Sequence, residues 1–163
     1  MRRKCSVRGS SGQPGADHNG AHTLTGAIAG AGPDDVIVVA NGGRIDVSSW
    51  GGIVSLGAAV RSVRGVITDG ACRDMGQARE LRCPRPGRNR RRPACLAQNY
   101  PLFSRGRFMR TGKDRVRLAA IGTPVTVSGI EIQPGALVCA DADGVVAVPA
   151  AEAERITETA ECL

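Results

Sequence analysis

Apolar positions along the chain fall into short runs whose spacing alternates between strand-like and helix-like patterns. Asp35-Val-Ile-Val-Val-Ala40 contains a continuous apolar run, the mark of a buried strand, and it ends in the flexible turn Asn41-Gly42-Gly43. Ile53, Leu56, Val60 and Val63 then recur at spacings of 3, 4 and 3, which predicts an amphipathic helix with these four residues as its apolar stripe. Val66 and Ile67 after Gly65 predict a short buried strand, closed by the turn pair Asp69-Gly70. A helix over Met75 to Leu81 follows. In the C-terminal half, Pro124 to Ser128, Ile130 to Ile132, Leu137 to Ala140 and Val145 to Val148 are β-branched runs. Gly129, Pro134-Gly135 and Asp143-Gly144 separate them, so four strands joined by turns are expected. Ala150 to Ala160 closes the chain as an acidic amphipathic helix with Ile156 on its inner face. Strand, helix and strand in this order make an α/β unit. At 163 residues the chain has the size of a single domain with enough apolar content for a core.

Two motifs stand at the ends of the predicted α/β unit. Trp50-Gly51-Gly52 opens the helix, and after twenty intervening residues Arg73-Asp74 closes the run that begins at Gly65. In open α/β sheets, ligands bind beyond the carboxyl ends of strands, which is where Arg73 and Asp74 fall. A guanidinium offers a planar fork of donors suited to a carboxylate, and a carboxylate is a hard oxygen ligand. A glycine-rich turn lets backbone amides approach a small ligand closely. The combination predicts a site for a small anion and a divalent metal. The competing reading is a surface ion pair, with Asp74 as the N-cap of the helix from Met75. Asp141 and Asp143 precede glycine and read as turn formers rather than ligands.

Around these residues the chain resembles the RraA-like family. That family includes 4-hydroxy-4-methyl-2-oxoglutarate aldolases with oxaloacetate decarboxylase activity and the regulator of ribonuclease activity A. The resemblance runs from about Pro33 to Pro149. It rests on Pro33-Asp-Asp-Val-Ile-Val-Val39, Trp50-Gly51-Gly52, Asp69-Gly-Ala-Cys-Arg-Asp74, Pro101-Leu-Phe-Ser-Arg105, Thr123-Pro-Val-Thr-Val127 with Gly129, Pro134-Gly135, and Ala140-Asp-Ala-Asp-Gly-Val-Val146.

The resemblance implies a compact β/β/α swivelling-type sandwich in the α/β class, assembled as a ring-shaped homotrimer with active sites near subunit interfaces. It also implies a metal-dependent lyase acting on pyruvate-type 2-oxo acids. Arg73 and Asp74 would be the catalytic pair. Gly51, Gly52, Ile53 and Val54 would bind substrate through backbone N–H groups, together with Arg73. Asp74 would anchor the divalent cation, Mg²⁺ or Mn²⁺. Two positions depart from the family pattern: Gly52 stands where many aldolases carry an acid, and Gln77 where a carboxylate is common. These departures keep open a second class, a catalytically silent regulator that binds a protein partner.

Charge points elsewhere until it is located. The chain carries 22 Lys and Arg against 15 Asp and Glu, a net +7. The segment from Arg82 to Gln98 holds six arginines and no acid, and without it the net charge falls from +7 to +1. The family has no counterpart to this segment, and excising it joins Arg79-Glu-Leu81 to Asn99-Tyr-Pro-Leu-Phe103 as helix, turn and strand. It is therefore expected to be foreign to the native product, such as an unspliced intron that keeps the frame. An arginine-rich arm for RNA is the alternative. The four aromatics, Trp50, Tyr100, Phe103 and Phe108, are not interleaved with those arginines, which argues against nucleic-acid binding.

Residues 1–32 are shorter than the family's leading region and are expected to be truncated and irregular. Their basic, serine-containing start leaves a mitochondrial leader as a minor alternative to a cytoplasmic protein. His18 and His22 are four apart, but Asn19-Gly20 between them favours a turn over a zinc site. The six cysteines form no CxxC pair, so reduced thiols are expected. No apolar run approaches the roughly 18 residues of a membrane span.

Overall fold

The computed structural model describes residues 23–81, 100–116 and 118–162. The Arg-rich segment 82–98, His18 and His22, and residues 1–22 lie outside the described residues.

The centre is a four-stranded parallel sheet. Its strands are β1 (Val36–Val39), β2 (Ser48–Trp50), β3 (Gly65–Cys72) and β4 (Leu102–Arg107). β3 is the axis: β1 pairs with its first half, β2 with its last residues, and β4 lies along its other side. A parallel sheet of this kind must be covered on both faces. On one face lie α1 (Thr23–Ala29), α2 (Gly52–Val60) and α3 (Met75–Glu80). On the other lie two antiparallel hairpins, β5 (Val125–Val127) with β6 (Ile130–Ile132) and β7 (Leu137–Ala140) with β8 (Val145–Val148). A 3-10 turn at Ala150–Glu152 leads into α4 (Ala153–Glu161).

Strand alternation divides the core accordingly. Ile37, Val39 and Val66 face the helices with Ile28, Ala58 and Trp50, while Val36, Val38 and Ile67 face the hairpins with Val125, Ile132 and Val138. The expected α/β sandwich of two β layers and one α layer is the observed architecture.

Four local expectations change. The run at Asp69-Gly70 is not a turn, because β3 continues through it as eight buried residues. Asp69 stays in the strand because its carboxylate accepts N–H bonds from Asn41 (2.5 Å) and Gly43 (3.0 Å), and so clamps the turn after β1. Gly70 stays because a Cβ there would come within 2.8 Å of the Arg44 carbonyl and 2.6 Å of the Asn41 amide. Helix α2 has the predicted position, but three of the four stripe residues face outward: Gly52, Ser55, Ala58 and Ala59 are its buried face, while Ile53, Leu56 and Val60 are exposed and only Val63, beyond the helix end, is buried as expected. Small residues let the helix approach the sheet closely and leave the large apolar side chains outside. Within residues 1–32, expected to be irregular, 23–29 form α1, which buries Ala27 and Ile28. In α4, Ile156 remains 37% exposed, so this helix buries no residue within the chain.

Candidate functional site

The register of β2 on β3 brings the two motifs together. Ser48 pairs with Ala71 and Trp50 with Cys72, so both strands end at the same edge. The Arg73 N–H donates to the Trp50 carbonyl at 3.0 Å, joining the two strand ends directly. Trp50 is buried, and its indole N–H donates to Ser55 Oγ (2.9 Å). That hydroxyl in turn donates to the Gly51 carbonyl (2.9 Å), so strand end and first helical turn are fixed as one unit. This is the structural work of the Trp-Gly-Gly motif.

Gly51 is required by proximity. A Cβ at this position would stand 2.9 Å from Arg73 Nε and 3.2 Å from Asp74 Oδ2. Asp74 occupies the left-handed region (φ 57°, ψ 30°), which favours glycine but which Asp and Asn also adopt. It sits in the N-cap position of α3, yet its side chain makes no bond to that helix. The carboxylate reaches across instead, accepting the Gly52 N–H at 3.0 Å, and lies 3.4 Å from Arg73 Nε. Asp74 therefore supplies the negative group at the N-terminus of α2, where the helix dipole favours it. The competing reading holds in part: Asp74 stands at the N-cap position of α3 and in a half-exposed ion pair with Arg73, but its carboxylate makes no capping bond to that helix.

Of the four residues expected to donate N–H groups, Gly52 spends its own on Asp74. The first helical acceptor, the Gly51 carbonyl, is taken by Ser55, so the N–H groups of Ile53 and Val54 have no helical partner. The side chains of Arg73 and Asp74 are 38% and 42% exposed, which leaves the corner accessible. A cavity of about 700 Å³ opens on the hairpin face beside Asp69, Phe103 and Ile130, and neither Arg73 nor Asp74 lines it. Within one chain the corner is an open surface site.

Gln77, singled out in the sequence as a departure from the family pattern, completes the corner. It lies on the first turn of α3, and its carboxamide fills the space beside Gly52. A Cβ on residue 52 would stand 3.0 Å from Gln77 Cδ and 3.1 Å from Asp74 Cβ, and would run into Gln77 Oε1. The two positions where the chain departs from the family pattern are thus in contact with each other.

The donor set fits a hydrated hard cation. Both contacts described for the Asp74 carboxylate fall on Oδ2. Among the described residues no three His, Cys, Asp or Glu side chains gather to hold a metal. A cation such as Mg²⁺ keeps several waters and accepts one protein carboxylate, whereas a zinc cage needs more protein ligands. Cys72, next to Arg73, is not a thiolate: burial pushes its thiol up to about 12, against the smaller opposing effect of a hydrogen bond from Ser104. It is a fully buried packing residue. Asp141 accepts the N–H groups of Asp143 and Gly144, which confirms its part in the turn.

Comparison with known proteins bears on the family and the fold. The RraA-like profile, described as Aldolase/RraA, matches residues 13–91 and 85–147. A "Putative 4-hydroxy-4-methyl-2-oxoglutarate aldolase" of Halalkalibacterium halodurans is 29% identical over 131 residues, covering 80% of this chain and 54% of that protein. The crystal structure of an uncharacterized protein from Pseudomonas syringae pv. tomato superposes with a TM-score of 0.77 at 31% identity, covering 99% of this chain and 65% of that one. Streptomyces coelicolor RraAS2, described as an unusual member of the RNase ES inhibitor RraA protein family, gives the same TM-score of 0.77 at 24% identity. It covers 98% of this chain and 72% of that one, and speaks to the fold. The chain spans between 16% and 54% of the length of the curated relatives it matches.

Proposed function

The chain belongs to the RraA-like family, and on that premise we propose that it is a divalent-metal-dependent lyase acting on pyruvate-type 2-oxo acids. Its reactions would be aldol cleavage of 4-hydroxy-4-methyl-2-oxoglutarate, decarboxylation of oxaloacetate, or both. The observation that carries this reading is the Arg73–Asp74 pair held at the joined ends of β2 and β3 beside Gly51.

Arg73 binds the substrate carboxylate and 2-oxo group through its planar donor fork. The N–H groups of Ile53 and Val54 hold the substrate from the N-terminal end of α2. Asp74 holds a cation, Mg²⁺ or Mn²⁺, and the Gly52 N–H and Arg73 keep its carboxylate in place. The bound cation supplies Lewis-acid stabilisation of the negative charge that develops as the C–C bond breaks. In both reactions the bonding electrons pass to the pyruvate fragment as its enolate, whose methylene carbon then takes a proton from water; in aldol cleavage the 4-hydroxyl releases its proton to water as it becomes the carbonyl of the departing fragment, and in decarboxylation the departing fragment is CO₂, so one site serves either. The three apolar side chains exposed on α2 support assembly of copies, a homotrimer in this proposal, around the open corner. Reduced thiols at Cys72, Cys139 and Cys162 are compatible with a cytoplasmic setting. No helix among the described residues is long and apolar enough to cross a membrane.

A second reading, a catalytically silent regulator that binds a protein partner, is favoured by one observation: Gly52 and Gln77 leave the corner without a second acid. Supplying the full chain with each of the two substrates and Mg²⁺, and quantifying pyruvate against an enzyme-free blank, separates the two. Metal-dependent release above the blank is expected. Release no faster than the blank from either substrate would leave the regulator reading in its place.

A further inference from the structure

The cavity of about 700 Å³ is not confined to the hairpin face. Leu102, Phe103, Ser104 and Arg105, consecutive residues of β4, all line it. Successive residues of a strand face opposite sides of the sheet, and here Leu102 packs in the core under the helices and Phe103 in the core under the hairpins. A cavity that touches both runs along the edge of the strand. Met75 of α3 bounds it on one side, and Ile130 and Val146 bound it on the other. That edge is open: β4 pairs with β3, and among the described residues no strand lies on its far side. The Val66 N–H donates to the Pro101 carbonyl (2.9 Å), so in this parallel register Leu102 and Ser104 turn their backbone N–H and C=O groups outward, into the groove.

Apolar walls beside a row of backbone donors and acceptors fit an extended peptide. An acyl or aryl ligand would cover Ile130 and Val146, which are 62% and 61% exposed, and would leave the strand edge desolvated without partners. Charge narrows the peptide. Among the described residues Arg105, Asp69 and Asp141 are the charged side chains that line the groove. Asp69 accepts the N–H groups of Asn41 and Gly43, and Asp141 those of Asp143 and Gly144, so both acids are committed to backbone. Arg105 makes no hydrogen bond or ion pair among the described residues, and Arg107 adds a second exposed cation along the same strand. Antiparallel pairing of β4 with a second copy of itself would bring these arginines against their own counterparts, and like charges across a ladder are unfavourable. An acidic strand meets no such penalty.

We infer that the open edge of β4 is a docking site for an extended segment of another protein. The segment adds as a further strand, its apolar side chains enter the groove, and an acidic side chain meets Arg105. Neither Arg73 nor Asp74 lines the groove, so the site stands apart from the proposed lyase centre.

Octapeptides selected on the full chain from a displayed random library, then synthesised with a fluorescein label, serve as probes for fluorescence anisotropy. The selected sequences are expected to alternate apolar residues and to carry an acid. Methylating the backbone nitrogens on the edge-facing side of the probe should weaken binding at least about tenfold, while methylating the alternate ones should leave it within about threefold. Arg105→Glu should weaken binding at least about tenfold, with recovery when the acid of the probe is replaced by lysine. Ile130→Thr combined with Val146→Thr, both on exposed side chains, should weaken it about tenfold through lost apolar burial. A library that yields no binder, or probes that bind Arg105→Glu and the double variant as they bind wild type, would overturn the inference. Binding that ignores backbone methylation would show apolar contact without strand addition and would also overturn it. A wild-type assembly that the Ile130→Thr, Val146→Thr protein breaks into single chains in sedimentation would give the groove to a second copy instead.

Discussion

The carboxylate of Asp74 accepts the backbone N–H of Gly52, 22 residues earlier in the chain, at 3.0 Å. One side chain thereby fixes the start of α2 to the end of β3, and the same side chain is the proposed cation ligand. Structural and chemical roles separate by isosteric substitution. Asp74→Asn keeps an oxygen acceptor and tolerates the left-handed backbone, so urea denaturation should place it within about 1 kcal/mol of wild type. Asp74→Ala loses the acceptor and strains the backbone, and should cost about 2 kcal/mol. Only the wild type should gain stability on addition of Mg²⁺. Equal stabilisation of Asp74→Asn by Mg²⁺ would place the cation elsewhere.

Contact between residue 52 and Gln77 makes their substitutions non-additive. In an open helix start, Gly52→Ala would stabilise by a few tenths of a kcal/mol or more. Here the new Cβ meets the Gln77 carboxamide, and the single variant should lose about 1–2 kcal/mol. Gly52→Ala combined with Gln77→Ala should recover most of that loss in the same denaturation experiment. Additive effects of the two changes would show that the side chains do not meet.

Asp69 should be the most damaging carboxylate to remove. It is 4% exposed and satisfies the N–H groups of Asn41 and Gly43. Asp69→Ala leaves both donors without an acceptor and should cost about 3 kcal/mol, measured by denaturant midpoint, with the 41–43 turn losing protection in hydrogen exchange. A loss under 1 kcal/mol would mean that the turn holds without the clamp.

How far the sequence announced this molecule depends on the element. Strands β1 and β5 to β8 were legible because β-branched runs between glycines admit few other structures. The functional corner was legible as a spacing between two motifs, although only the β2–β3 register shows why they meet. Asp69 was misread because Asp-Gly normally marks a turn. The contrary signal was an acid within a stretch whose flanks are apolar, and its reason, two N–H groups 28 and 26 residues earlier in the chain, is a tertiary fact. The stripe of α2 was misread because periodicity identifies a face without saying which face turns inward. Ser55, Ala58 and Ala59 won that choice through close packing on the sheet. Gln77 was marked in the sequence as a departure from the family's carboxylate, but its contact with residue 52 was not legible, since its partner there is the absence of a side chain.

The outward stripe of α2 has its own consequence. Ile53, Leu56 and Val60 are 82%, 50% and 75% exposed, next to the proposed substrate amides. If copies assemble over this face, replacing Ile53 and Val60 with lysine should reduce the sedimenting species to a single chain, while circular dichroism stays unchanged. A wild-type protein that already sediments as a single chain at tens of micromolar would remove the face from any assembly.

The most direct measurement is the rate of pyruvate formation from oxaloacetate, corrected for the spontaneous reaction, with saturating Mg²⁺ and with excess chelator, for wild type and Asp74→Asn side by side. The wild type should turn over with Mg²⁺, fall to the blank with chelator and recover when Mg²⁺ is restored. Asp74→Asn, folded to the same degree, should lose at least about a hundredfold in rate at equal Mg²⁺, the scale of removing a group that holds the charge-stabilising centre. Turnover that persists in chelator, or an Asp74→Asn protein as active as wild type, would contradict a metal-dependent lyase centred on this residue.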